Sequence, residues 1–367
     1  MPKEVVGIIF GGRSVEHEIS LLSAKSIIKN IDNQKYQIFP IFIEKDGTWR
    51  KASIESWIND GELIISKDTF LSPSLNPQNQ CFYEIENDKV TNEHEVDVIF
   101  PVLHGTFGED GTVQGLFSLM GIPFVGASVL GSSVGMDKII MKTTFKEYGL
   151  PVVNYIGFNK HEWDSEKNKI KAMIIKEITI PCFVKSADLG SSIGITRVSS
   201  ENELEKAIEF ASSFSERIII EKAVLNAREI EISVLGNENP IASLPGEIIP
   251  HREFYDYTAK YIEDRTKLIA PANIDDETKA RLQECAVKAF KAIYCLGMGR
   301  VDFLLERDTD EFYISEINTI PGFTQISMYP KLWVLSGIKI QELISRLIEL
   351  AFERHEKIKQ LKTDFKN

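Results

Sequence analysis

Long hydrophobic runs, paired cysteines and an excess of positive charge are all missing from this sequence of 367 residues. No apolar stretch is long enough to cross a bilayer as a helix, and the first dozen residues lack the long apolar core of a signal peptide. The four cysteines show neither a CxxC nor a cysteine–histidine spacing, so reduced packing residues are favoured over a metal site. We therefore expect a cytoplasmic protein without a membrane partner.

Acidic residues outnumber basic ones, and the formal net charge is −12. Neutralising a nucleic-acid backbone needs a basic surface, so we expect no nucleic-acid partner. A nucleotide site needs only a few local lysines and stays compatible with this charge. The length, with 43% apolar residues, allows more than one hydrophobic core, and we expect two or three domains.

The N-terminal segment alternates strands and helices. EVVGIIFGGRSVEHEISLLSAKSIIKNI has the pattern of a buried strand, a glycine turn and an amphipathic helix, and strands at YQIFPIFIE and VDVIFPVLHG follow. This order predicts a parallel α/β layer. Residues 66–95 are polar and rich in Asn, Ser and Pro, which is typical of an insertion rather than of core.

The stretch GMGRVDFLLERDTDEFYISEINTIPGFT, residues 297–324, predicts two neighbouring strands that carry acids. Successive side chains of a strand alternate between faces, so Arg300 and Asp302 share one face, and Glu316 and Asn318 share one face of the next strand. Asp302 and Glu316 are an even number of positions apart. They can face each other across an antiparallel pair only if the loop has an odd length, which residues 307–311 would supply, or if a bulge intervenes.

A half-buried carboxylate is costly unless positive charge compensates it. Taken singly, Asp302 or Glu316 is most simply an ordinary solvated or salt-bridged acid. Together with Asn318 they offer two carboxylates and an amide oxygen, which leaves room for phosphate oxygens and water, as in magnesium sites of phosphoryl transfer. The two strands therefore predict a site for a hard divalent cation.

Three further stretches suggest a nucleotide. In PCFVKSADLGSSIGI, Lys185 ends a strand before a small-residue loop whose backbone N–H groups can approach phosphates, although such a loop taken by itself is more often a flexible surface turn. RIIIEK ends with Glu221 beside an acid-rich strand in which Glu229 or Glu231 can reach ribose hydroxyls. HREFYDYTAKYIEDRTK mixes aromatic rings with charges, as in a lid or an ordinary surface loop.

The chain resembles the D-alanine–D-alanine ligases of the ATP-grasp superfamily in seven motifs, which occur in the family's order and approximate spacing: GGRSVEHEIS, LHGTFGEDG, MDK, VKSADLGSSIG, FYDYTAKY, GRVDF and EINTIPGFTQISMYP. The resemblance implies an α/β fold, with α+β character in the ATP-grasp part, and three domains. These are a Rossmann-like parallel α/β substrate domain at 1–127, a central ATP-grasp lobe at 128–220 and a C-terminal ATP-grasp lobe at 221–367 with the metal site and the lid.

The resemblance also implies roles for individual residues. ATP, as co-substrate, would lie between the two ATP-grasp lobes and contact Lys138, Lys185, Ser192, Glu221, Lys222, Val224, Glu229 and Lys260. Two Mg²⁺ or Mn²⁺ ions would be bound by Asp302, Glu316 and Asn318, in agreement with the strand-face argument. The D-alanines would be surrounded by Glu16, Ser191, Tyr261, Arg300, Gly322 and Ser327. His104 lies at a substrate-side turn, but as a lone histidine it fits a structural hydrogen bond equally well.

By this resemblance the activity would be the ATP-dependent joining of two D-alanines through an acyl phosphate, for peptidoglycan precursors, in a homodimer. Arg300 and the backbone N–H of Gly322 would be the oxyanion donors. A ligase that takes D-serine or D-lactate as second substrate is the same-fold alternative. By the resemblance, Tyr261 favours a second amino acid over a hydroxy acid such as D-lactate, because family members that make D-alanyl-D-lactate often carry another residue there. A non-catalytic nucleotide-binding module is the alternative from another class, and it has no need of Arg300.

The sequence departs from the family's pattern at two points. Ser186 follows the strand lysine where the family commonly has proline, and EKAVLNARE carries one extra residue in the adenine connector. The first departure would loosen the entry to the glycine–serine loop. The second puts the adenine contact of Val224 in doubt.

Overall fold

The computed structural model describes residues 2–190, 194–249 and 267–362 of the chain. Within these ranges no helix is both long enough and apolar enough to cross a membrane. The N-terminal elements are β1 (Glu4–Gly11), α1 (His17–Asn30), β2 (Tyr36–Ile43), β3 (Trp49–Ser53), a 3₁₀ turn (Trp57–Asn59), β4 (Ile64–Ile65), β5 (Phe70–Pro73), β6 (Cys81–Glu86), β7 (Lys89–Glu95), β8 (Val98–Val102) and α2 (Thr112–Met120).

The N-terminal sheet has the strand order β4-β3-β2-β1-β8, and β1 runs parallel to both β2 and β8. The apolar run of β1 is buried on both faces, as expected for a central strand of a covered parallel sheet. The prediction of a parallel α/β layer is therefore confirmed. The carboxyl ends of β1 and β8 bring the turns after Gly11 and Val102 to one edge of this sheet.

The polar stretch predicted as an insertion forms an antiparallel sheet of order β5-β6-β7. Leu71 and Phe82 of this sheet are buried in a core cluster that also contains Phe39 and Phe117. The prediction that the stretch lies outside the core is therefore wrong for these side chains. The alternation of apolar and polar residues in the short strands was masked by the Asn and Pro residues between them.

The central elements are α3 (Val129–Met136), α4 (Lys138–Glu147), β9 (Tyr155–Asn159), α5 (Lys160–Met173), a π-helical turn (Ile174–Ile178), β10 (Cys182–Ser186), β11 (Thr196–Val198), α6 (Glu201–Ser212) and β12 (Arg217–Lys222). Their sheet is antiparallel, in the order β11-β10-β12-β9. Helix α4 begins at Lys138, directly after the residue that caps it. The Asp137 side chain accepts hydrogen bonds from the N–H groups of Ile139 and Ile140 and so caps the new helix.

The C-terminal elements are β13 (Ala227–Gly236), β14 (Ile241–Ala242), β15 (Gly246–Ile249), β16 (Lys267–Ile269), α7 (Asp276–Ala292), β17 (Gly297–Glu306), β18 (Phe312–Asn318), α8 (Met328–Leu335) and α9 (Ile340–Lys359). Their sheet has the order β16-β15-β13-β17-β18, with β14 paired to β13. The acid-rich strand β13 lies inside this sheet, between β15 and β17. One face of β13 carries Ile230, Ile232 and Val234 into a core with α7, and the other face is turned to the candidate site.

Candidate active site

The acids of β17 and β18 face each other, as the strand-face argument predicts. Asp302 is directly opposite Glu316, and Arg300 is directly opposite Asn318. The register shifts by one residue between Asp302 and Phe303, because Ser315 is an extra residue in β18. The parity problem is thus solved by a bulge rather than by the loop at residues 307–311.

The bulge also determines which face the acids occupy. In an unbroken strand Phe312, Ile314 and Glu316 would share one face, but Phe312 and Ile314 are buried in the core while Glu316 lies on the opposite, cavity-lining face. The predicted alternation along β18 is therefore wrong across Ser315. One extra residue carries the acid of this strand out of the core and into the cavity.

Arg300 lies between acids from two strands. Its Nε and Nη2 donate to Asp302 Oδ1 and Oδ2 at 2.7 and 2.6 Å, and its Nε is 3.2 Å from Glu231 Oε2 on β13. Burial opposes the charged guanidinium, but the carboxylates of Asp302 and Glu231 outweigh it and raise the pKa of Arg300 well above its usual value. Glu231, considered only as a ribose contact in the sequence, therefore holds Arg300 in place.

The residues predicted to bind a cation have suitable chemistry. The carboxylates of Asp302 and Glu316 line the cavity, and Asn318 Nδ2 lies 3.0 Å from Asp302 Oδ2. Within the described ranges no group of three or more His, Cys, Asp or Glu side chains forms a complete metal cage. Two carboxylates and an amide fit Mg²⁺ or Mn²⁺ that takes its other ligands from phosphate and water. Asp302, Glu316 and Asn318 would hold such an ion.

A cavity of about 430 Å³ lies between the central sheet and the C-terminal sheet. Its lining combines lysines of the central elements and acids from both sheets with apolar residues of the connector between β12 and β13. Most of the residues predicted for ATP and metal are among the lining residues: Lys138, Lys185, Glu221, Lys222, Val224, Glu229, Arg300, Asp302 and Glu316. This volume and mixed lining suit a nucleotide.

Glu221 forms the anionic centre of the lysine cluster. Its Oε2 is 2.7 Å from Lys185 Nζ, and its Oε1 is 3.2 Å from Nζ of the fully buried Lys142. Burial opposes ionisation of this carboxyl, but the charges of Lys142 and Lys185 lower its pKa to about 2. The same pairing raises the pKa of Lys185 against the effect of burial. The Glu221 carboxylate is thus turned to the lysines, and only its main chain remains available for an adenine edge.

Lys138 connects the start of α4 to the strand lysine's loop. Its backbone N–H donates to Ala187 O at 2.8 Å, and its Nζ donates to Leu189 O at 2.7 Å. The same Nζ is 3.6 Å from Glu316 Oε2. The ammonium therefore lies between Glu316 of β18 and the loop that was predicted to approach phosphates.

On the substrate side, His104 contacts the polypeptide. Its Nδ1 and Nε2 lie within hydrogen-bond distance of Ile320 O, at 3.0 Å, and of Ser23 Oγ, at 3.1 Å. Ser23 Oγ in turn accepts from the Phe323 N–H at 3.1 Å. The structural alternative for His104 therefore agrees with these contacts, which fix the loop that carries Gly322.

Glu109 binds the same loop as His104 and was not recognised in the sequence analysis. Its Oε1 accepts from the Ile320 N–H at 3.1 Å, and its Oε2 accepts from the Gly105 N–H at 2.8 Å. Loss of hydration and the nearby charge of Glu16 raise its pKa to about 8. The signal was present in LHGTFGEDG, where only the histidine was considered.

The remaining predicted substrate residues lie around this loop. Glu16 is buried, and its Oε2 would be 2.6 Å from a Cβ added at Gly105 and 3.5 Å from one added at Gly190. Ser327 Oγ accepts from the Thr324 N–H at 3.0 Å and closes the turn after Gly322. Four further predicted residues lie outside the described ranges: Ser191, Ser192, Lys260 and Tyr261.

Comparisons with known proteins agree with this arrangement. Residues 5–127 match the family model described as D-ala D-ala ligase N-terminus, and residues 144–349 match D-ala D-ala ligase C-terminus. The chain is 45% identical to a D-alanine–D-alanine ligase of Natranaerobius thermophilus over 100% of this chain and 99% of that protein. It is 48% identical to the ligase of the same name from Ruminiclostridium cellulolyticum over 97% of each chain.

Two solved structures are similar over nearly the whole fold. The D-alanine–D-alanine ligase from Coxiella burnetii has a TM-score of 0.83 and 34% identity, covering 98% of this chain and 97% of that one. The VanG D-Ala:D-Ser ligase from Enterococcus faecalis has a TM-score of 0.84 and 35% identity, covering 95% of this chain and 100% of that one.

Proposed function

The chain belongs to the D-alanine–D-alanine ligase family, and on that premise we propose that it joins two D-alanines with cleavage of ATP to ADP and phosphate. The observation that supports this most is the convergence of Arg300, Asp302 and Glu316 on the cavity that also contains Lys138 and Lys185. Nucleotide binding alone needs the lysines but not a cavity-facing guanidinium. Supply of a peptidoglycan precursor is the role that this product implies.

The first step would be attack of the first D-alanine's carboxylate on the γ-phosphorus of ATP, which forms an acyl phosphate and releases ADP. Lys138 and Lys185 would offset the negative charge that spreads over the phosphoryl oxygens. Asp302, Glu316 and Asn318 would bind magnesium or manganese, and we propose two ions, whose charge would neutralise phosphate oxygens. Lys260 would contribute a further charge from the lid.

The second step would be attack of the second D-alanine's amine on the activated carbonyl carbon, which breaks the bond to phosphate. Arg300 and the Gly322 N–H would stabilise the tetrahedral oxyanion. Glu16 would hold the ammonium of the first D-alanine, grouped with Ser191 and Tyr261, and Ser327 would bind the carboxylate of the second.

For the nucleotide, we propose that the main chain near Glu221 and the side chains of Lys222 and Val224 contact adenine. Glu229 would contact the ribose, and Ser192 a phosphate. We also propose the domain bounds 1–127, 128–220 and 221–367, a homodimeric state, and action in the cytoplasm, where ATP is available.

Incubation of the purified protein with ATP, Mg²⁺ and D-alanine tests this function. We expect phosphate and D-alanyl-D-alanine to form in equal amounts. ADP release without dipeptide, or nucleotide binding without turnover, would contradict it and favour the non-catalytic alternative.

The choice of second substrate needs its own test, because a D-Ala:D-Ser ligase is among the similar structures. Competition of D-alanine with D-serine and D-lactate at several pH values would measure it. An amine nucleophile must lose a proton, whereas the hydroxyl of a hydroxy acid carries no ammonium proton, so only the amino acids should gain as the pH rises. Preferred formation of D-alanyl-D-serine would show that D-serine, and not D-alanine, is the second substrate.

A further inference from the structure

Lys142 is a fully buried cation that has no role in the proposed reaction. It lies on α4, one turn after Lys138. Its Nζ donates to Ser315 O at 2.9 Å and to Ile314 O at 3.3 Å, and lies 3.2 Å from Glu221 Oε1. One ammonium therefore contacts both strand β18, which carries Glu316, and the carboxylate of Glu221.

The two carbonyls that Lys142 binds belong to consecutive residues. In a regular strand, consecutive carbonyls point to opposite edges, so a single group cannot bind both. The Ile314 N–H donates to Pro151 O at 2.8 Å, so Ile314 faces the outer edge of β18, and the bulge brings the Ser315 carbonyl to the same edge. A carbonyl that a bulge removes from the ladder needs another donor, and the Lys142 ammonium supplies it.

The same bulge decides where Glu316 points. If Ser315 were opposite Asp302 in an unbroken ladder, Glu316 would move to the face that carries Ile314 into the core, because a slip of one residue reverses every side chain. With the bulge in place, Glu316 faces Asp302 at the cavity. Stabilising the bulge is therefore equivalent to stabilising the cation site.

We propose that Lys142 is a positioning residue for the cation site, whose ammonium holds the bulge at Ser315 in the register that directs Glu316 to the cavity and Asn318 to Asp302. Glu221 holds Lys142 in place and, through Lys185, ties this support to the nucleotide side. The inference rests on the proposed cation site, but ion binding can be measured without turnover.

The test is the affinity for Mn²⁺, measured by electron paramagnetic resonance with a non-hydrolysable ATP analogue present. In Lys142→Met we expect an affinity at least about tenfold lower than in the unmodified protein, as for the loss of other residues that support metal ligands. Arg354→Met is the matched control. Arg354 is also a buried cation that donates to two backbone carbonyls, Phe124 O and Gly126 O, but it lies on α9.

We expect Arg354→Met to lose thermal stability without losing Mn²⁺ affinity. Unchanged Mn²⁺ affinity in Lys142→Met, or an equal loss of affinity in both variants, would overturn the role of Lys142 but not the cation site. No Mn²⁺ binding by the unmodified protein would overturn the cation site itself, and the inference with it.

Deletion of Ser315 keeps the test available if Lys142→Met does not fold. The deletion removes the extra residue, so Glu316 follows Ile314 directly and faces Asp302 in a regular strand that needs no outside donor at the former bulge. Adding Lys142→Met to this deletion should then cost less than about threefold in Mn²⁺ affinity. A double variant that fails to fold or to bind Mn²⁺ would contradict the proposal.

Discussion

Glu316 is the residue whose replacement tests the cation site most directly. Its side chain is 31% exposed and reaches the cavity from a strand whose other face is core, so a change to glutamine should leave folding intact. Glu316→Gln removes one negative ligand from a site that acts on developing charge. We expect kcat to fall by about a hundredfold or more, with an unchanged thermal midpoint.

Glu311→Gln is the matched control for this change, because Glu311 is exposed at the start of the same strand. Its kcat should equal that of the unmodified protein. Unmodified rates in Glu316→Gln would remove Glu316 from the cation site.

Glu109 gives a pH dependence that belongs to a single residue. Its pKa of about 8 in the folded protein exceeds the ordinary glutamate value of 4.5, because the carboxyl is dehydrated and lies near the charge of Glu16. The hydrogen bonds from the Gly105 and Ile320 N–H groups, and then the charge of Arg300, compensate only in part. The folded state therefore retains a proton that the unfolded state has lost between these values. The free energy of unfolding should fall as the pH rises from about 4.5 to about 8.

In Glu109→Gln this contribution is absent, so the thermal midpoint should fall less between pH 5 and pH 8, roughly, than in the unmodified protein. The variant also places an amide N–H against one of the two backbone donors, so it should be less stable than the unmodified protein at the acidic end. Parallel midpoint curves for the two proteins would show that Glu109 does not titrate in this range.

The sequence reveals residues of the site when one strand or one loop carries the information. Arg300 and Asp302, or Glu316 and Asn318, are two positions apart, so the period of a strand was sufficient to pair them. Glu231 and Lys142 could not be recognised in the same way. Their partners, Arg300 and Ser315, come from elements 69 and 173 positions away, and only the packing of sheet and helix brings them together.

Among the elements, α9 shares a hydrophobic core with the N-terminal sheet, and the buried side chain of Arg354 adds polar contacts between them. Arg354 donates to Phe124 O and Gly126 O at 2.7 and 2.5 Å, and its guanidinium lies 4.1 Å from the centre of the Phe124 ring. Burial lowers its pKa to about 10. Arg354→Met would leave two buried carbonyls without this donor, and we expect a loss of about 2–4 kcal/mol in the free energy of unfolding.

Because these contacts are distant from the cavity, kcat at a temperature well below the midpoint should stay within about twofold of the unmodified value. Arg346→Met is the control, since Arg346 lies on the exposed side of α9 and pairs with the exposed acids Glu349 and Glu353. A similar loss of stability in both variants would mean that the Arg354 contacts contribute nothing specific.

Strands and helices with a regular hydrophobic pattern could be predicted from the sequence. A strand whose pattern is interrupted by a bulge, such as β18, could not. The parallel layer of β1, β2 and β8 follows from apolar runs that are buried on both faces. The bulge in β18 is a property of its pairing with β17, its contact with α4 and its distance from the hairpin turn. None of these is visible in the local sequence, which is why the predicted alternation fails at Ser315.

At the scale of the whole molecule, the cavity separates two sheets that have different cores. Residues of β10 and β12 pack in one cluster, whereas residues of β13 and β17 pack in another. A ligand that touches both sheets binds the folded arrangement and not the unfolded chain. Its binding should therefore stabilise the protein, by about 2.7 kcal/mol at a hundred times its Kd.

Thermal unfolding with ATP, with Mg²⁺ and with both together measures this linkage. Because Asp302, Glu316 and Asn318 leave coordination positions open for phosphate oxygens, Mg²⁺ alone should change Tm little, whereas MgATP should raise it by about 3–4 °C. The increase should largely disappear when Glu316 is replaced by Gln and persist in Glu311→Gln. An equal increase in Tm with Mg²⁺ alone would contradict this description of the site. Tight binding of the ion without ATP would require a complete set of protein ligands, whereas the site offers only two carboxylates and one amide among the described residues.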